Sequence, residues 1–120
     1  MIFKKSLNQE KAFIAGDKTI LREVLHPQND KVPINYSIAQ AIIQPNQAST
    51  PHRLTGSETY YFLGGEGVIY IDEEHVDVKK GDVVFVPANA LQYVRNTGEV
   101  DLDFMCIVEP YWTPESEVVL

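Results

Sequence analysis

A single cysteine, Cys106, is all the thiol that the 120-residue sequence contains. No internal disulfide can form, and a reducing, cytoplasmic setting is expected. Basic residues are scarce as well: 10 Lys and Arg against 17 Asp and Glu leave a formal net charge of −7. That balance argues against nucleic acid and anionic membrane surfaces as partners, because phosphate binding rests on neutralisation by Lys and Arg. No apolar run approaches the roughly 18 residues of a membrane helix. The opening MIFKKSLNQEKAF has no apolar stretch after its lysines, so no secretory signal is read there. Internal repeats, low-complexity tracts, G-x-S-x-G, a P-loop and a dinucleotide fingerprint are missing. Long helical periodicity is missing too, which removes the helical bundles.

What remains is a chain with 44% hydrophobic and 22% charged residues, the composition of an ordinary globular domain with one core. Strand signals recur at short spacing between Gly, Pro, Asn and Asp: TILREVLHP, INYSIAQAIIQP, ETYYFLGGEG, GDVVFVP, LQYVRN and DLDFMCIV. VIYIDEEHVDV reads as a hairpin turning at Asp72-Glu73-Glu74. SLNQEKAF is compatible with a short turn or helix. Seven or more strands in about 95 residues predict an all-β sandwich or small barrel. We read one domain over residues 1–120, with the barrel core at about 20–110. The weakly patterned ends, about 1–18 and 110–120, read as arms.

Alternation along a strand assigns faces. Glu58, Tyr60 and Phe62 share one face, and His52 joins them if the loop Thr55-Gly56-Ser57 preserves register. Gln92, Val94 and Asn96 share a face, as do Leu102, Phe104, Cys106 and Val108. Phe62, Val94 and Phe104 are expected to fill the interior, and Cys106 to be a buried, inert thiol. His75, Asp101 and Asp103 are expected in solvent, and His26, before Pro27, at the surface or an interface.

Two segments carry a resemblance. His52-x-Leu54, three residues, Glu58, six residues and Gly65 resemble the first motif of the cupin superfamily, His-x-His, three or four residues, Glu, six residues, Gly. Gly81, five residues, Pro87-x-Asn89, two residues, Gln92, three residues and Asn96 resemble the second. The family pattern has His where Leu54 and Gln92 stand, and Gly where Asn89 stands. The likeness spans about residues 35–108 and implies the double-stranded β-helix, or jelly-roll, barrel of a small single-domain cupin.

The resemblance further implies a divalent metal, Mn, Fe, Ni or Zn, held by His52, Glu58 and Gln92, with Tyr60 as a catalytic hydrogen-bond donor or acid. The activity would be that of a metal-dependent enzyme of dioxygenase, isomerase or lyase class. The alternative is a non-catalytic ligand-binding or sensing module with a degenerate metal site. In either case Leu54 becomes a wall of a pocket with Tyr60, Phe62, Val94, Phe104 and Cys106, suited to a small, partly apolar molecule. A homodimer is expected as well, covering Met105, Ile107 and the tail aromatics Tyr111 and Trp112.

Overall fold

Short alternating segments cut by Gly, Pro and Asn can bury one face only by stacking two sheets. The structure, a computed structural model that describes residues 2–120, does this. Its strands are β1 (Phe13–Ile14), β2 (Ile20–Leu25), β3 (Ser37–Ile43), β4 (His52–Leu54), β5 (Ser57–Gly64), β6 (Glu66–Ile71), β7 (Glu74–Lys79), β8 (Val83–Val86), β9 (Gln92–Asn96), β10 (Leu102–Glu109) and β11 (Glu117–Val119). One antiparallel sheet runs β1-β2-β3-β10-β5-β8 and the other β11-β4-β9-β6-β7. The anticipated jelly roll is the observed fold. Among the described residues no helix is long and apolar enough to cross a membrane.

The core lies between the sheets. Phe62, Leu102 and Phe104 from the first sheet meet Ile69 and Val94 from the second, all at most 2% exposed. Outward positions of the same strands, Tyr61, Leu63, Met105 and Ile107, are half-buried or exposed, as a period of two demands. The hairpin VIYIDEEHVDV closes more tightly than expected. Its turn is Asp72-Glu73 alone, with Asp72 at φ 53°, and Glu74 already pairs with Ile71.

Two motif positions owe their identity to backbone geometry. Gly65 has φ 82°, and a Cβ there would lie 2.5 Å from the carbonyl oxygen of Asp101. Asn89 has φ 68°, a left-handed conformation that Asn tolerates and Gly tolerates better. Asn96, which ends the second motif, is a bracket between loops. Its Nδ2 donates to the carbonyls of Ile43 (2.9 Å) and Val100 (2.8 Å), and its Oδ1 accepts from the amide of Gly98 (2.8 Å).

Both ends, read above as arms, contain short paired strands. The first contains a single 3-10 turn, Leu7–Gln9, and then β1, which pairs with β2. The other crosses the barrel mouth through the 3-10 turn Pro114–Ser116 and adds β11 beside β4, placing Val119 opposite His52. Three residues without clear alternation carry too weak a period to be read as a strand.

Asn96→Ala should lower unfolding stability by about 2–4 kcal/mol in urea titrations, because it strands buried backbone groups. Asn89→Gly should stay within about 0.5 kcal/mol of the parent, since it only relaxes a left-handed residue.

Candidate functional site

β5 and β10 pair so that Glu58 faces Val108, Tyr60 faces Cys106 and Phe62 faces Phe104. β3 continues these rows with Ser37, Ala39 and Ala41. Large aromatics fill the Phe62 end of the ladder. The small side chains of Ala39 and Ala41 leave room toward the other end, where a cavity of about 160 Å³ opens on Glu58.

His52, on β4, enters the same cavity from the second sheet. It is 3% exposed, and its Nδ1 lies 2.9 Å from the carbonyl oxygen of Thr50. A carbonyl only accepts, so Nδ1 carries the proton and a neutral ring turns Nε2 toward the cavity as an acceptor. Nε2 stands 4.0 Å from Asp17 Oδ2. Asp17 is itself fixed: its Oδ1 accepts from the amide (3.1 Å) and hydroxyl (2.7 Å) of Thr19, and its carbonyl accepts from the amide of Thr50 (2.7 Å). Glu58 is 6% exposed, and its Oε1 is a buried side-chain atom with no hydrogen-bond partner among the described residues.

Gln92 pairs with His52 across β4 and β9 and is 1% exposed, but it stands outside the cavity lining. Its Oε1 accepts from the hydroxyl of Tyr60, so the oxygen assigned above to a metal is already engaged. Leu54, 3% exposed, brings an isobutyl group where the family motif has an imidazole. The residues anticipated as ligands therefore offer two free donor atoms, His52 Nε2 and a Glu58 oxygen. Among the described residues no three His, Cys, Asp or Glu side chains are arranged to hold a metal. The donor set does not fit a resident divalent ion of the kind expected, whose catalytic sites take three protein ligands.

Burial sets the proton chemistry. It pushes the Glu58 carboxyl up to about 7, against the opposing pull that His52 exerts when its ring is charged and the hydrogen bond of the Cys106 thiol. Burial, reinforced by the negative charge of Glu58, holds Tyr60 and Cys106 well above their usual values. Both keep their protons, and Cys106 is the inert thiol expected, since reactivity requires the thiolate.

Several site residues escaped the sequence reading. His26 is buried rather than superficial: Nδ1 accepts from the amide of Gln28 and Nε2 donates to the carbonyl of Trp112 at 2.8 Å. It caps the helical turn α1 (Pro27–Asp30) and bonds the C-terminal segment, an intramolecular contact in place of the surface or interface position anticipated. Asp17, Glu23, Trp112 and Glu117 also line the cavity. Three of these lie in or beside the presumed arms, where an acid in a turn looks like any solvated charge. Phe62 packs below the cavity as core, whereas Val94 and Phe104 belong to both core and wall. Asp103 is half-buried and accepts from the Gln40 amide at 2.9 Å, so only Asp101 and His75 of the solvent group are fully exposed.

Glu58 titrates near 4.5 when unfolded and near 7 when folded. Its contribution is therefore most favourable below pH 4.5 and is lost as pH rises to about 7. Glu58→Gln should gain stability relative to the parent over that interval, by on the order of 3 kcal/mol. Urea unfolding of both proteins across pH 4.5–8 measures it, and a constant difference between them would exclude the buried titration.

The Cupin_2 family (Cupin domain) matches residues 39–108. An uncharacterized protein of Methanocaldococcus jannaschii is 33% identical over 120 residues, covering 99% of this chain and 95% of the relative. The oxalate-binding protein of Thermotoga maritima is 34% identical over 71 residues, 58% of this chain and 59% of that protein. The crystal structure of Lactobacillus farciminis oxalate decarboxylase superposes with a TM-score of 0.81 over 94% of this chain at 22% identity. This chain spans 34% of that enzyme, so the likeness there is one of fold. With the family match covering more than half of the residues and the jelly roll in place, the chain belongs to the cupin family.

Proposed function

We propose that this cupin binds a small organic molecule in the barrel cavity through its own side chains, without a resident metal. One observation carries the reading: Glu58 lines the chamber, and its Oε1 is buried with no hydrogen-bond partner among the described residues. A buried acceptor left unmade costs about 1–3 kcal/mol, which a ligand donor would recover. A cavity of about 160 Å³ suits a compact ligand, close to the ~150 Å³ that accepts benzene in an engineered apolar cavity.

The competing reading is the metal-dependent enzyme implied by the family motifs, with His52, Glu58 and Gln92 around a divalent ion. It requires Tyr60 to release Gln92 and Gln92 to turn into the cavity. We assign Tyr60 instead to positioning: its retained proton holds Gln92, and its ring forms part of the wall. An anion such as oxalate also fits poorly without an intervening cation, because Asp17, Glu23, Glu58 and Glu117 all line the chamber.

For assembly we propose a dimer of two copies. β8 is an edge strand, and Val83 and Phe85 on it are 62% and 61% exposed. Tyr61 lies beside Val83 and Met105 beside Tyr61 on the same outer face. Apolar side chains on an open sheet edge call for cover, and an isologous pairing supplies it from one surface. Light scattering at micromolar concentration should give twice the chain mass, and Phe85→Lys should give the monomer.

Metal analysis tests the central reading. Protein purified after growth with added Mn, Fe, Ni and Zn should carry far less than stoichiometric metal. Leu54→His combined with Gln92→His should restore the full motif and bring in a stoichiometric ion. Stoichiometric metal in the parent chain that disappears in His52→Ala would overturn the proposal in favour of the metalloenzyme.

A further inference from the structure

We infer that the cavity selects a small organic cation, a primary ammonium on a compact apolar body, over carboxylates and neutral analogues. The inference deepens the ligand-binding reading above and rests on it. Its first support is the charge inventory. Four carboxylates and two histidines line the cavity, and among the described residues no lysine or arginine does. An anionic ligand would meet only like charge, whereas a cation would meet complementary charge on several sides.

The second support is the direction of the free atoms. Asp17 spends Oδ1 on Thr19 and keeps Oδ2 free; His52 spends Nδ1 on Thr50 and turns Nε2 inward. The two free atoms face each other at 4.0 Å, too far to bond directly. A nitrogen donor placed between them can lie about 2.9 Å from each. Glu58 lines the same chamber, and its Oε1 is buried with no partner among the described residues. Three acceptors therefore stand available, and a primary ammonium has three donors and no acceptor. An alcohol offers one donor and would leave acceptors unmet, and a carboxylate offers none.

The third support separates an organic cation from a bare ion. Beyond these polar atoms the walls are apolar, with Leu21, Ala41, Val94, Phe104 and Val108 among them. Such a wall rewards a hydrocarbon body, and the volume admits about six to eight heavy atoms by comparison with the benzene-sized cavity. A hydrated metal ion would leave that surface wet.

The test uses matched probes on the intact protein: benzylamine and cyclohexylamine, benzyl alcohol, benzoate, oxalate, and benzene as a purely apolar reference. Amide chemical shifts and calorimetry at pH 7.5 and low salt report binding. The amines should bind most tightly, shift the amides of Asp17, His52 and Glu58, and weaken as salt is raised. Asp17→Asn should loosen the amines by about tenfold, the range of one charge-assisted contact, while leaving benzene unaffected. Glu58→Gln carries the same comparison should Asp17→Asn fail to fold. Benzoate or oxalate binding as well as the amines, or benzyl alcohol matching them, would overturn the cation assignment and leave the pocket standing. Failure of every probe, benzene included, would overturn the pocket reading and this inference with it.

Discussion

The register between β5 and β10 is the constraint from which the rest of the molecule follows. Pairing Glu58 with Val108, Tyr60 with Cys106 and Phe62 with Phe104 sends all six side chains inward together. A slip of one residue would exchange them for Thr59, Tyr61, Met105 and Ile107 and turn the interior out. The same ladder grades from aromatic to polar along its length. The Phe62–Phe104 rung packs against Ile69 and Val94 and holds the sheets together, while the Glu58 rung faces a chamber that Ala39 and Ala41 are too small to fill. Stability and site are two ends of one row of cross-strand pairs.

The inward face of each of these strands was legible from sequence because it depends on period alone, whereas their pairing was not. The alternation in DLDFMCIV and the spacing of Glu58, Tyr60 and Phe62 assign faces without reference to anything distant. Gly65 and Asn89 were legible for a related reason, since a left-handed backbone restricts residue type locally. The Tyr60–Gln92 hydrogen bond was not, because it joins residues 32 apart through a fold not yet built. The role of His26 also escaped: what buries it is the carbonyl of Trp112, contributed from the far end of the sequence. β11 is too short to show a period, and its identity comes from the edge of β4 that it covers.

Family membership and chemistry separate at two side chains, Leu54 and Gln92. The motif spacing survives because Gly65, Pro87 and Asn96 shape turns that any cupin barrel needs, and the fold follows the spacing. Leu54 and Gln92 keep their places in that frame but alter what the chamber offers: one is a hydrocarbon wall, the other an amide tied to a phenol. The charge left behind is more negative than a site built around a bound cation would be with that cation in place. One architecture thereby carries differently lined chambers, as fold-level likeness leads one to expect.

The two ends of the described chain meet above the cavity, where Gly16 lies against Glu117 so closely that a Cβ on it would sit 3.3 Å from the Glu117 carboxylate. Asp17 and Glu117, from segments at opposite ends of the sequence, both face the chamber. Bringing segments of such long sequence separation together costs loop-closure entropy that the contacts between them must offset. The chamber is closed only when both distant segments are in place, β11 beside His52 and the Asp17 turn against Thr50. Loosening either end of the sequence would therefore open one side of the cavity while leaving the β5–β10 ladder intact.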